Sequence, residues 1–129
     1  MILLSTDKLN NELLGKAKII DATWHFLPNR NAYEEYKKEH IENAIFFDLE
    51  ENSNKEKNLP HKHFLPNKKD WEKYLSKIGI SNDDIIIIYD NSNLITSCRC
   101  WFQFLYFGHS PNLVFILDGG LKKWKLEKK

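Results

Sequence analysis

The sequence predicts an α/β domain in three layers, with a mainly parallel sheet between helices. Three observations carry this. Short apolar, β-rich runs alternate with longer segments of helical period along the whole chain, the order expected of α/β folds. The run Ile85-Ile86-Ile87-Ile88-Tyr89 is apolar without alternation, the pattern of a strand covered on both faces. Trp71, Tyr74, Leu75 and Ile78 recur at i, i+3, i+4 and i+7, one face of a helix.

The elements follow in order. Ser5 or Thr6 caps a first helix over 7–14, with Leu9, Leu13 and Leu14 on one face and Gly15 as its stop. A buried strand is expected over 18–22 and a helix over 29–39, with Tyr33 and Tyr36 turned inward. The next strand covers 44–47 and ends at Asp48. Residues 50–58 are polar and aperiodic, a surface loop, and Pro60 and Pro66 exclude helix from its closing stretch. Asn67 caps a helix that runs to Ile78 and stops at Gly79. After the strand over 85–89 come a polar turn at 90–93, a helix over 97–107, an apolar strand over 112–117 and the turn Asp118-Gly119-Gly120.

The chain has 129 residues, of which 42% are hydrophobic and 29% charged, enough for one domain over 1–129 with a core of its own and too apolar for intrinsic disorder. Nineteen basic against eighteen acidic residues give a net charge of +1, so no overall field steers the chain to nucleic acid or to an anionic membrane. No apolar run approaches the ~20 residues of a membrane helix. The start, Met1-Ile2-Leu3-Leu4-Ser5-Thr6-Asp7, lacks the basic and long apolar regions of a secretory signal. Two cysteines, Cys98 and Cys100, make no disulfide framework. A cytoplasmic protein in a reducing environment is expected.

In open α/β sheets, ligands sit outside the carboxyl ends of the strands. The best such place is 89–97, between the most apolar strand and a helix, where free N–H groups of a helix start favour an anion. Asp90 occupies this strand end, and its carboxylate reads as a cap for the loop and the next helix. Cys98 and Cys100 fall inside that helix at i and i+2, point in different directions and cannot chelate a metal together. His61 and His63 flank Lys62; an H-x-H pair can serve zinc with a further ligand, but here it reads as exposed loop imidazoles. His40 and His109, each beside an apolar turn, read as structural hydrogen-bonders. The lysine-rich stretch 122–129 reads as a solvated face, since arginine, the base-reading residue, occurs only at Arg30 and Arg99. No cofactor and no metal are expected.

Taken together, six elements resemble the rhodanese domain, and more narrowly the N-terminal half of the tandem thiosulfate and 3-mercaptopyruvate sulfurtransferases. These are Ser5-Thr6-Asp7-Lys8-Leu9, Ile20-Asp21-Ala22-Thr23-Trp24, the stretch from Tyr36 through His40-Ile41 to Phe46-Phe47-Asp48, Leu59-Pro60-His61 with Phe64-Leu65-Pro66, Tyr89-Asp90 with Arg99-Cys100-Trp101-Phe102 and Phe107-Gly108-His109, and Leu117-Asp118-Gly119-Gly120 with Lys123-Trp124. Glu42-Asn43 stands where the family has Pro-Gly.

The resemblance implies sulfur transfer through a cysteine persulfide, the cysteine heading a loop whose backbone N–H groups stabilise the charge. In this sequence Asp90 holds that position, and a carboxylate carries no persulfide, so no turnover is expected of the chain alone. The resemblance implies that its partner is a C-terminal catalytic domain, fused or separate, with a small sulfur donor in the shared cleft. It also implies supporting roles for Asp48 and for a loop histidine, which is either His61 or His63. The alternative is a stand-alone binding or regulatory module that uses the loop over 90–97.

Overall fold

Five strands lie parallel in one sheet, in the order β1-β5-β4-β2-β3, in a computed structural model that describes residues 2–54, 63–92 and 96–129. Strand β1 is Leu3–Leu4, β2 Lys18–Asp21, β3 Ile45–Phe46, β4 Ile86–Tyr89 and β5 Val114–Leu117. The helices are α1 Thr6–Lys8, α2 Ala32–Lys38, α3 Lys68–Ile78, α4 Ser97–Tyr106 and α5 Gly120–Leu126. The register places Ile20 of β2 beside Ile88 of β4 on one side and Ile45 of β3 on the other.

The central strand shows why the sheet has two covered faces. Ile86 and Ile88 join Ile20, Phe47, Trp71, Tyr74, Leu75, Cys100 and Phe104 in one cluster, beneath α3 and α4. Ile87 and Tyr89 point the other way, to Leu9, Ile19, Leu117, Leu121 and Trp124, beneath the N-terminal turns and α5. All four residues of β4 are fully inaccessible to solvent. Alternate side chains of one apolar strand thus fill two cores. The three-layer expectation holds.

Local chemistry sets most ends. Asn67 Oδ1 accepts from the Asp70 N–H at 2.8 Å and starts α3, and Gly79 ends it in the left-handed conformation at φ +80°. Asn31, not residue 29, caps α2 through the Glu34 N–H. Asn43 takes a left-handed turn position at φ +63°, where the family has glycine; asparagine is among the few side chains that tolerate it.

Tyr33 of α2, expected to turn inward, is exposed instead, and three further elements differ from expectation. The expected helix over 7–14 is one α-turn followed by a π-helical turn over Leu9–Leu13, closed by the Leu14 N–H donating to Leu9 O at 3.0 Å. Strand β1 has no local signal, because pairing with β5 creates it: Ile116 N–H donates to Ile2 O and Asp118 N–H to Leu4 O. Helix α5 forms because Leu121 and Trp124, three apart, bury against the second core.

Candidate functional site at the carboxyl ends of the strands

β2 continues to β3 on one side and β4 to β5 on the other, so the chain switches direction between β2 and β4 and leaves a crevice at their carboxyl ends. The loop after β4 fills its own anion position. Asp90 Oδ2 accepts from the Ser97 N–H at 2.8 Å, and Oδ1 accepts from the Ser92 N–H at 3.2 Å and its hydroxyl at 3.1 Å. Thr96, which precedes α4, makes no side-chain capping bond. The cap comes instead from a carboxylate seven residues before Ser97.

The β2–α2 connection clamps this loop. Asn91 N–H donates to Thr23 Oγ1 at 2.9 Å, and Thr23 Oγ1 donates to Asp21 Oδ1 at 2.6 Å. Arg30 forks onto Glu35 through Nε and Nη2, at 2.8 and 2.9 Å, and also reaches Asn91 O at 3.2 Å. His25 Nε2 lies 2.9 Å from the same Glu35 carboxylate. The hydrogen bond from Arg30 holds the Glu35 carboxyl below its ordinary range, with His25 adding to the effect. Burial pushes the Asp21 carboxyl up against the pull of its Thr23 hydrogen bonds, and burial likewise raises Tyr89, whose hydroxyl accepts from the Ile41 N–H. A cavity of about 150 Å³ opens here, lined by Asp21, Thr23, Tyr36, Asn91 and Leu121 among others.

A second cluster lies beyond β3. Asp48 Oδ1 accepts from the Glu50 N–H at 3.0 Å and the Glu51 N–H at 3.3 Å. Its carbonyl takes the Asn52 side-chain amide at 2.8 Å, and its N–H donates to the Tyr74 hydroxyl. Burial pushes the Tyr74 hydroxyl up to about 12. The Asp48 side chain is therefore engaged in folding the turn over 48–52. The turn presents Glu50, whose Oε1 lies 2.7 Å from His63 Nε2 and accepts from Trp24 Nε1 at 3.2 Å. The His63 ring meets Trp24 edge-on, with centroids 4.9 Å apart. Because a carboxylate only accepts, a neutral His63 carries its proton on Nε2 and keeps Nδ1 as the basic nitrogen. Such a pair can take up and return a proton.

The structure therefore brings His63 to Glu50, and to Asp48 only through the turn that Asp48 caps. His61 lies outside the described residues. Glu50 and Trp24 are not among the site residues expected from the sequence; the signal for Glu50 is the second acid of Asp48-Leu49-Glu50, four positions past the end of β3. Cys100 is fully buried, and burial raises its thiol well above its ordinary value, whereas Cys98 is exposed on α4 rather than packed in it. His40 donates from Nδ1 to Tyr36 O, and His109 from Nε2 to Asp84 O, so both bond the backbone as expected. Lysines of the C-terminal stretch pair with acids: Lys123 with Asp118, Lys125 with Glu39 and Lys129 with Asp7. Among the described residues no group of three or more His, Cys, Asp or Glu is placed to hold a metal ion, and no helix is long and apolar enough to cross a membrane.

A parallel three-layer α/β domain with its polar clusters at the strand carboxyl ends is the architecture of the rhodaneses, and residues 5–127 match the model of the rhodanese-like domain; the chain belongs to this family. It is 38% identical over 125 residues to thiosulfate/3-mercaptopyruvate sulfurtransferase 2 of Arabidopsis thaliana, covering 95% of this chain and 35% of that protein. It is 36% identical over 112 residues to thiosulfate sulfurtransferase of Gallus gallus, covering 85% of this chain and 37% of that protein. The 3-mercaptopyruvate sulfotransferase SseA of Escherichia coli superposes with a TM-score of 0.87 at 31% identity, over 98% of this chain and 48% of that one. The chain thus spans between a third and a half of the length of these relatives.

Proposed function

We propose that this chain is the non-catalytic half of a two-part sulfane-sulfur transferase. In this reading Asp90 stands where an active rhodanese domain has its persulfide cysteine, and the chain contributes proton handling to a cysteine on a C-terminal catalytic domain, fused or separate. The observation that carries it is the 2.7 Å pairing of His63 with Glu50 in the turn that Asp48 caps, just past β3, in a family member that covers about a third of its curated relatives. His63 and Glu50 are the pair assigned to proton transfer, and Asp48 sets the turn that presents Glu50. His61 is the competing loop histidine, and the experiment includes it.

The chemistry of the whole would run through the partner's cysteine. Its thiolate attacks the outer sulfur of thiosulfate and expels sulfite, or takes the sulfur of 3-mercaptopyruvate and leaves pyruvate. Cyanide or a thiol then removes that sulfur and frees the thiolate. A reducing compartment, the cytoplasm, belongs to this reading on the strength of two unpaired thiols, although one relative is mitochondrial.

The test mixes this chain with a catalytic half and follows thiocyanate formation from thiosulfate and cyanide. Activity should rise on mixing, fall with His63→Ala and Glu50→Gln, and hold with His61→Ala. Equal activity without this chain overturns the reading. The alternative, a stand-alone module binding an anion in the loop over 90–97, is not favoured, since the Asp90 carboxylate already takes the Ser97 and Ser92 donors.

A further inference from the structure

A cavity of about 540 Å³ opens beside α3, between Ser53 and Asn54 of the chain after β3 and the helix stripe Asp70, Lys73, Tyr74 and Lys77. Its size is that of pockets that hold small molecules. Tyr74 and Pro66, both buried, give it apolar walls, and its rim is charged. The ion pairs of α3 among the described residues join Lys68 to Glu72 at 4.0 Å and Lys77 to Glu51 at 3.2 Å. That leaves the Asp70 carboxylate and the Lys73 ammonium, both exposed, without a counter-charge. Nor do they meet each other, although they stand three apart on one helix face. Glu34 and Lys37, at the same spacing on α2, do meet, at 2.9 Å; aspartate is one methylene shorter than glutamate and does not span the turn. Asn67 holds only the Asp70 backbone N–H, at 2.8 Å.

Two opposite charges that line one cavity and are neutralised neither by each other nor by a neighbour complement a ligand that carries both signs. We propose that this cavity binds a zwitterionic dipeptide, with its ammonium on Asp70 and its carboxylate on Lys73. Side chains three apart on a helix have Cβ atoms about 5–6 Å apart, and two residues of extended chain span about 7 Å, so the two ends of a dipeptide reach both charges. The charged groups of a single amino acid flank one Cα and reach only one of them at a time. The dipeptide side chains would lie against Tyr74 and Pro66. The Ser53 hydroxyl, which donates to Leu49 O at 2.7 Å, keeps lone pairs to accept from the peptide N–H. Glu50 and His63 are not among the described lining residues, so the site does not rest on the function proposed above.

The experiment titrates this chain with alanyl-leucine at low ionic strength and follows the backbone amides by two-dimensional NMR. A saturable shift centred on Ser53, Asn54, Asp70 and Lys73 is expected. N-acetyl-alanyl-leucine, which lacks the ammonium, and alanyl-leucinamide, which lacks the carboxylate, should each bind about fivefold more weakly. Asp70→Asn should weaken alanyl-leucine by the same factor and leave the N-acetyl form unchanged. Lys73→Gln should weaken alanyl-leucine likewise and leave the amide unchanged, since each substitution then removes a partner that the altered ligand no longer needs. Both side chains are exposed, so neither substitution opens the core. Amides that do not move, shifts that do not saturate, or losses on substitution that are equal for all three ligands overturn the proposal. So does leucine alone binding as tightly as alanyl-leucine, because the spacing of the two charges then selects nothing.

Discussion

Replacing Asp90 with alanine removes three hydrogen bonds and one charge from the start of α4. The Oδ2 bond to the Ser97 N–H, at 2.8 Å, is the only side-chain cap at that N-terminus among the described residues, because Thr96 makes none. Losing a capping carboxylate costs about 1 kcal/mol. Losing a negative charge at the positive end of a helix adds about 0.3–1 kcal/mol. The Oδ1 bonds to Ser92, at 3.1 and 3.2 Å, are longer and lie in a part-exposed loop, so they add a few tenths. Asp90→Ala should therefore destabilise the fold by about 2 kcal/mol. Asp90→Asn, which keeps an acceptor and loses the charge, should cost about half of that. Urea unfolding followed by circular dichroism measures both, and added salt should shrink the difference between Asp90→Asn and the parent. A parent-like Asp90→Ala, within about 0.5 kcal/mol, would refute the idea that the carboxylate fills the anion position of this loop.

Gly120→Ala should cost about 2–3 kcal/mol in the same assay, since its Cβ would come 2.6 Å from Asp90 O at φ +60°; Gly15→Ala, with φ +81° and nothing within 4 Å, should cost only about 1 kcal/mol. Thiol titration with an aromatic disulfide should find one reactive cysteine in the native protein, Cys98, and a second, Cys100, only in denaturant. The Glu35 carboxyl is depressed in the fold below its free value of 4.5, so its contribution is fully present above that value and is lost below it, as pH falls through the lower folded value. The stability gap between parent and Glu35→Gln, read as urea midpoints, should be constant near neutrality and close on acidification; a gap that widens on acidification would contradict the Arg30–Glu35–His25 clamp.

The fold was legible where one local signal coincides with burial. The unbroken apolar run at 85–89 became β4, whose alternate residues fill both cores, and the Trp71, Tyr74, Leu75 repeat became the buried face of α3. Asn67 and Gly79 mark their helix ends through side-chain capping and left-handed backbone, both written in residue type. Where pairing comes from afar the signal fails. Two residues, Leu3 and Leu4, make a strand only because β5 offers an edge, and a helical period over 7–14 does not distinguish an i→i+4 ladder from the i→i+5 closure at Leu14.

The site shows the same division between side chain and partner. A carboxylate just past a strand is visible in sequence, and the family resemblance implied supporting roles for Asp48 and a loop histidine. Its own turn claims it first: two backbone N–H groups, of Glu50 and Glu51, converge on Oδ1, as an aspartate starting a tight turn favours. That capping projects the next acid, Glu50, whose side chain stays 62% exposed and meets His63. One acid thus shapes the backbone and the second does the pairing, and this assignment depends on which N–H groups the chain reversal brings to Asp48. The same logic separates the two arginines. Arg30 and Glu35 are five apart across a helix start, within reach of each other by local geometry, whereas Arg99 meets the Gln103 amide and no carboxylate among the described residues, because Asp90 and Glu50 are engaged elsewhere.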